Sequence, residues 1–487
     1  MKNKSIKSLL SIILAIVLSV SCFACVYAEE VVKPSAYQAA LMKNSIVQIC
    51  VQMADNYYYG VSDEDLLYRA LCSAIDNGKF DFDAAVERMV DLLDDGYNEF
   101  YTPERFESFY TEITGEFYGI GVQIMLSGDH VVVASVFPGS PAEKCGILPY
   151  DTIVSVDGKD IAGLSVSDVA TLIKREKGAH VAIGIVRNGA PMTIDCFCDE
   201  VSQSPISYEI MEDGKIGYIY ISSFSLTLDE FITPVLKEFE EKGIKNIILD
   251  IRNNGGGELT AAIDLAEHFI PEGTIAKFKY RNPENNEDAV ISNNLKEAPY
   301  NMVLLVNEYS ASASELFAGA VKDRDAGVLI GTKTYGKGSM QSVFRLITGC
   351  GVKFTVAEFH SPNDTRIHTV GVTPDFVVEN TVHQVTEKDF EPMVFNNIND
   401  GNDEKLNLAV EQRLEALGCF YGEPDEIFDD ETEEAVRYFQ MLKNLEITGE
   451  LDVYTLVAIN DIIYEYEYTE DNQLEAAKKY LLTGKTE

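Results

Sequence analysis

The period of the hydrophobic positions changes from one part of the chain to the next. Residues 9–20 are almost continuously apolar and follow Lys2, Lys4 and Lys7. Residues 33–113 read as helical; in "DFDAAVERMVDLLDD", Phe82, Ala85, Met89, Leu92 and Leu93 make one apolar stripe. Over 114–201 the pattern shortens to strand-like runs, among them "GIGVQIML", "HVVVASV", "TIVSVDG" and "HVAIGIV", interrupted by one amphipathic helix, "SVSDVATLIKREKG". From 202 to 385 apolar strands alternate with helices: "NIILDI" precedes "ELTAAIDLAEHFI", and "NMVLLV" precedes "SELFAGAVKD". That is the pattern of an α/β layer whose strands are buried on both faces. A polar linker at 396–405 leads to a small helical unit, 404–468, and a charged tail, 469–487. The chain therefore reads as multidomain, α/β and α+β.

Composition narrows the function. The 487 residues carry a formal charge of −40, which disfavours nucleic acid and anionic lipid as partners. The basic start, the apolar run and the small residue Ala28 form the pattern of a secretory signal peptide, residues 1–28, so the protein is expected to be exported. An uncleaved membrane anchor is the alternative; Cys22 and Cys25 suggest a lipoprotein signal, but Ser19 and Cys22 stand where that signal wants an aliphatic residue. The seven cysteines beyond residue 28 show no C-x-x-C pair, and Cys196 and Cys198 would share one strand face, so buried free thiols are the ordinary reading. The six histidines are dispersed without H-E-x-x-H, and no metal or other cofactor is indicated.

Three stretches carry candidate chemistry. In "NEYSASASELFAG", residues 307–319, three serines alternate with alanines where a strand hands over to a helix. Ser312 with Glu315 fits a capping box, and the same serine could be a nucleophile above a helix N-terminus. In "ILDIRNNGGGEL", residues 248–259, a strand passes through three glycines into a helix, a turn that can aim backbone amides at an anion or simply turn tightly. In "GTKTYGKGSMQSVFRL", residues 331–346, Lys337 lies between two glycines with Gln341 four residues on.

Together with "IGYIYISSF" and "GVTPDF", and in this order, these stretches resemble the carboxyl-terminal processing peptidases, also called tail-specific proteases. The resemblance implies a crotonase/ClpP-like α/β serine protease core over 202–385. It makes Ser312 the nucleophile, Lys337 the general base and Gln341 the residue that orients the lysine. The oxyanion amides would come from Ala313 and from Gly256, with Gly257 beside it. Lysine accepts a proton only when neutral, and its ordinary pKa is about 10.4, so the site must bury the amine away from carboxylates.

Residues 114–201 resemble a PDZ β-barrel-like domain, whose carboxylate-binding loop would be Gly119, Ile120, Gly121 and Val122. Tyr150 departs from this pattern, which usually has a glycine there. The helical unit at 404–468 resembles a peptidoglycan-binding module through Gly418, Asp425, Phe428, Thr432, Phe439, Gln440 and Gly449. The implied protein is a serine endopeptidase of the cell envelope, or secreted, that cleaves proteins or peptides selected by their C-terminal tails. Peptidoglycan is a candidate partner, and a homo-oligomer is left open. The alternative is a catalytically silent PDZ adaptor.

Overall fold

The computed structural model describes residues 49–486 except 63–64, 71–80, 107–108, 110–115, 188, 203, 294, 347, 387–388, 394–402 and 464–466. The expected signal peptide and part of the helical N-terminal region lie outside the described residues.

Strands Ile216–Ile221, Asn246–Asp250, Asn301–Val306 and Val328–Gly331 are apolar at nearly every position because both faces of their sheet are covered. They pair in parallel in that order, with Ile219 beside Leu249 and Leu249 beside Leu304. Ile206–Met211 joins one edge antiparallel and Phe376–Val377 the other in parallel. Side chains alternate along each strand. Ile247, Leu249 and Leu304 pack beneath helices Leu228–Glu241, Leu259–Phe269 and Ala313–Asp323. Ile216, Ile248, Val303, Leu305 and Ile330 point the other way and pack against Ala476 and Ala477 of the helix Asn472–Thr483.

The stretch expected as a charged tail thus completes the core. Its strand Glu467–Glu470 pairs antiparallel with Thr381–Gln384. The helix that follows hides an apolar face among its charges, with Leu474, Ala477 and Leu481 at helical spacing. Asp471 caps it, accepting from the Leu474 amide at 3.0 Å. Arg252 ties this cap to the sheet, with Asp250 and Asp471 each at 2.6 Å.

A second, antiparallel sheet runs along Gly351–His360, which pairs with Glu99–Tyr101, Ser339–Arg345 and Gly273–Tyr280. Its Val352, Phe354 and Val356 pack on the N-terminal helical residues Met53, Leu66, Val86 and Met89. The helix Phe82–Val90 starts at Asp81, whose carboxylate accepts two amides, and it buries Phe82, Ala85 and Met89 as the periodicity predicts. It stops at Val90, so Leu93 reaches the core from the following turn.

Residues 122–197 form a six-stranded antiparallel sheet with helices Pro141–Cys145 and Val166–Ile173, closed by pairing of Glu116–Gly119 with Asp199–Ser202. Here the reading of all cysteines as free thiols is corrected. Cys145, at the end of the first helix, is bonded to Cys196 across 51 residues, with Cα atoms 5.8 Å apart. Sequence spacing does not show this pair, because the helix end and the strand meet only in the fold. Cys50, Cys198, Cys350 and Cys419 are buried thiols that form no disulfide among the described residues. Helices Glu404–Ala416, Asp430–Leu442 and Val453–Ile463 form the last unit around Val410, Leu414, Val436, Phe439 and Ile459. Among the described residues no helix is long and apolar enough to cross a membrane.

Candidate active site

The three alternating serines divide their work at the end of strand Asn301–Val306. Ser310 and Ser314 are fully buried and stitch this turn to the glycine-rich one. Ser310 Oγ donates to the Ile251 carbonyl at 2.8 Å and Ser314 Oγ to the Asn254 carbonyl at 2.9 Å. The Ala311 amide also donates to the Asn254 carbonyl, at 3.0 Å. Ser312 lies between them with φ 58° and ψ −115°, a left-handed backbone unusual for a residue with a side chain, and it lines the central cleft. The helix Ala313–Asp323 begins immediately after it, so the positive end of that helix faces the same space.

Glu315 holds this conformation in place. Its carboxylate is fully buried and accepts four hydrogen bonds: the Ser312 amide at 3.0 Å, the Lys337 amide at 2.7 Å, and the Gly336 amide and Thr334 hydroxyl at 2.6 Å each. Burial pushes its pKa up while these donors pull it back. The sequence shows Glu315 as a helix-cap partner. Its second role, joining the backbones of Ser312 and Lys337, depends on the loop 334–337 folding back onto the helix start.

The glycine-rich turn lies against Ser312. A Cβ on Gly256, φ 103°, would come within 2.7 Å of the Ala311 carbonyl and 2.8 Å of Ser312 Cβ, which excludes any larger residue. Asn254, fully buried, fixes the turn: its Nδ2 donates to the Ile221 carbonyl and its Oδ1 accepts the Gly256 amide, both at 2.8 Å. The Gly256 amide, expected to face an oxyanion, is therefore engaged here. The amides of Ala313 and Gly257 have no protein acceptor among the described residues.

Lys337 lines the same cleft, as does Gln341, and the cleft measures about 1380 Å³. Desolvation lowers the lysine's pKa, and the like charge of Lys353 adds to this; Glu315 and Asp95 oppose it. No hydrogen bond joins Ser312 to Lys337 among the described residues. The Lys337 ammonium sits 4.9 Å from the centre of the Tyr97 ring. The Gln341 amide donates to the hydroxyls of Ser339 and Thr355, at 3.0 and 3.1 Å, rather than meeting the lysine. Tyr97 was not singled out by the sequence, since its contact with Lys337 spans 240 residues of chain.

The cleft extends from Ser312 to Tyr101 and Phe109 of the N-terminal region and to Ser167 and Thr171 on the helix Val166–Ile173. In that β-rich domain the Ile120 and Gly121 amides have no protein acceptor among the described residues. Gly121 has φ 80°, and a Cβ there would lie 2.4 Å from Ser140 Cβ. The Ile120 side chain is buried in the domain core, with Val122 half-buried against it. The strand Val122–Ser127 that follows is at the edge of its sheet.

A parallel-sheet core with a left-handed serine at a helix N-terminus, and with a desolvated lysine and the unengaged Gly257 amide in the same cleft, fits the class of serine peptidases, here with an attached peptide-recognition domain. Comparisons agree with this class. Residues 215–378 match peptidase family S41, 132–187 a PDZ domain and 408–459 a putative peptidoglycan binding domain. The chain is 32% identical over 395 residues to a probable CtpA-like serine protease of Staphylococcus aureus, covering 80% of this chain and 78% of that one. It is 35% identical over 303 residues to the carboxyl-terminal-processing protease of Synechocystis, covering 61% and 70%. A solved photosystem II D1 C-terminal processing protease is 27% identical with a TM-score of 0.44, over 69% of this chain and 93% of that one. The chain belongs to the S41 family of carboxyl-terminal processing serine proteases.

Proposed function

We propose that the protein is an exported endopeptidase that cleaves proteins chosen by their C-terminal tails, using a Ser312–Lys337 dyad. The observation that carries this reading is the shared cleft, lined by Ser312 in a left-handed turn, Lys337 destabilised as an ammonium and Gly257 with its unengaged amide; the Ala313 amide, also unengaged, follows Ser312 directly. Neutral Lys337 removes the Ser312 proton as Oγ attacks the peptide carbonyl, and the Ala313 and Gly257 amides receive the oxyanion. The ammonium then returns its proton to the departing amine, leaving an acyl-serine, and water attacks it with Lys337 as base again. Closing the dyad requires Lys337 to leave the Tyr97 face, and catalytic hydrogen bonds that are open in a ligand-free site commonly tighten on substrate binding. Gln341, close to the lysine in sequence, orients it in that closed state.

The PDZ domain receives the substrate tail, and the C-terminal module directs the enzyme to the envelope, with peptidoglycan as its ligand. A tail-binding adaptor without turnover is the second reading; the open Ser312–Lys337 pair is the observation in its favour. Degradation of a loosely folded protein by the wild type and not by Ser312→Ala decides between them. Equal loss of substrate with both, or with neither, would reject the dyad.

A further inference from the structure

Glu258 is a carboxylate in the catalytic cleft that the dyad does not use. It directly precedes the helix Leu259–Phe269, yet its side chain makes no capping hydrogen bond. No ion pair or hydrogen bond engages that carboxylate among the described residues, and desolvation alone pushes its pKa up, with no cation to bring it down. Other charges in the cleft are matched. Glu99 pairs with Arg105 and, at 3.0 Å, with Lys353. Glu258 is half-buried without a counter-charge, and burying a charge unpaired is unfavourable. A cation that arrives with the substrate would relieve it.

The backbone holds this residue beside the reacting groups. The Phe224 amide donates to the Gly256 carbonyl at 2.9 Å, and the Glu258 amide donates to the Phe224 carbonyl at 2.8 Å. Between them a Cβ on Gly257 would lie 2.3 Å from the Phe224 carbonyl oxygen, so the segment 256–258 is clamped against Phe224. Gly256 lies against Ser312, and Gly257 offers the amide next to Glu258. Two residues of chain span at most about 7 Å, which leaves the carboxylate within reach of a long side chain flanking the cleaved bond. The cleft lining that this clamp brings alongside, Ser222, Ser223 and Ser225, offers hydroxyls and no competing cation.

We propose that Glu258 is a specificity-determining residue that selects a substrate Lys or Arg within two residues of the cleaved bond. This rests on the peptidase reading above. The carboxylate accepts hydrogen bonds from the substrate's ammonium or guanidinium group, and it repels Asp or Glu at the same place. The formal charge of −40 on the chain acts in the same direction at longer range. Glu258 takes no part in the chemical steps; it sets which peptide is held against Ser312.

The test uses the full-length protein and quenched peptides amidated at their C-termini, so that no terminal carboxylate competes for the PDZ loop. The peptides are identical except for Lys, Gln or Glu at one of the two positions on either side of the cut. At one of those positions the wild type is expected to cleave the Lys peptide about tenfold more efficiently in kcat/KM than the Gln peptide, with Glu poorest. Glu258→Gln should bring the Lys and Gln peptides together, and Glu258→Lys should reverse the order of Lys and Glu. Each protein is read as a ratio between peptides, so any loss of active enzyme cancels. A wild type without preference for Lys at all these positions, or a preference that survives in Glu258→Gln, would overturn the assignment. Binding of the same peptides to full-length Ser312→Ala, with and without Glu258→Gln, reads the subsite without turnover. If the wild type cleaves none of the peptides the peptidase reading fails, and equal affinity of Ser312→Ala for the Lys and Glu peptides would separately reject the role of Glu258.

Discussion

In the proposed dyad Lys337 acts as a base in a chain crowded with carboxylates, and its surroundings set how well it can do so. Burial and the Lys353 charge lower its pKa, while Glu315 and Asp95 work the other way. Only the neutral amine accepts the serine proton, so kcat/KM should rise with pH through the folded pKa and level off above it. The midpoint is expected below the ordinary 10.5, as the direction of the shift requires. Lys337→Arg should be as inactive as Lys337→Ala, because a guanidinium stays charged throughout that range. A flat profile from about pH 6 to 9 on a small peptide, or turnover by the arginine variant, would remove Lys337 from the role. Glu315 sets a different constraint, since all four groups it accepts from are donors. In Glu315→Gln an amide NH2 must face at least one of them. Leaving such a buried donor unpaired costs about 1–3 kcal/mol, so the urea midpoint should fall along with activity. The local strings around Ser312, Lys337 and the three glycines made the candidate site legible, because each carries its chemistry within a dozen residues. Tyr97 and the bridging role of Glu315 were hidden, since both arise only when distant loops meet.

At the scale of elements, the period of hydrophobic positions revealed the parallel sheet and its three covering helices. It did not reveal what covers the other face. The helix Asn472–Thr483 carries three Lys and Glu side chains that mask its apolar stripe, and Ala476 and Ala477 are too small to raise the local hydrophobicity. The disulfide was hidden for a related reason: Cys145 and Cys196 are paired by packing and not by spacing. A true tail could be cut without effect. Ending the chain at residue 470 should instead expose Ile216, Ile248, Val303, Leu305 and Ile330 and strip Arg252 of Asp471. At about 25 cal/mol per Å² of apolar surface, losing that cover removes a large share of a typical domain's stability. The truncated protein is expected to be insoluble or to unfold well below the wild type in a thermal melt. An unchanged melting curve would return residues 471–487 to the status of a tail.

Across the whole molecule, the proposed function has the PDZ domain and the protease cleft read one substrate at two places. The carboxylate loop has what a chain terminus needs: the unengaged Ile120 and Gly121 amides lie at the start of Val122–Ser127, an edge strand open to strand addition. The helix Val166–Ile173 contributes Ser167 and Thr171 to the catalytic cleft, so a peptide seated on the PDZ domain starts close to Ser312. The terminal carboxylate should then be the main anchor. A charge-assisted hydrogen bond contributes about 1.5–3 kcal/mol, and amidating the tail should weaken binding by about ten- to a hundredfold. Acidic tails should bind less well than apolar ones, because the chain's formal charge of −40 opposes further carboxylates. Full-length Ser312→Ala protein, which leaves the peptide intact, can be titrated with paired free-acid and amidated tails. Equal affinity for the two forms would make the β-rich domain a spacer, and tail choice would then have to reside in the protease cleft itself.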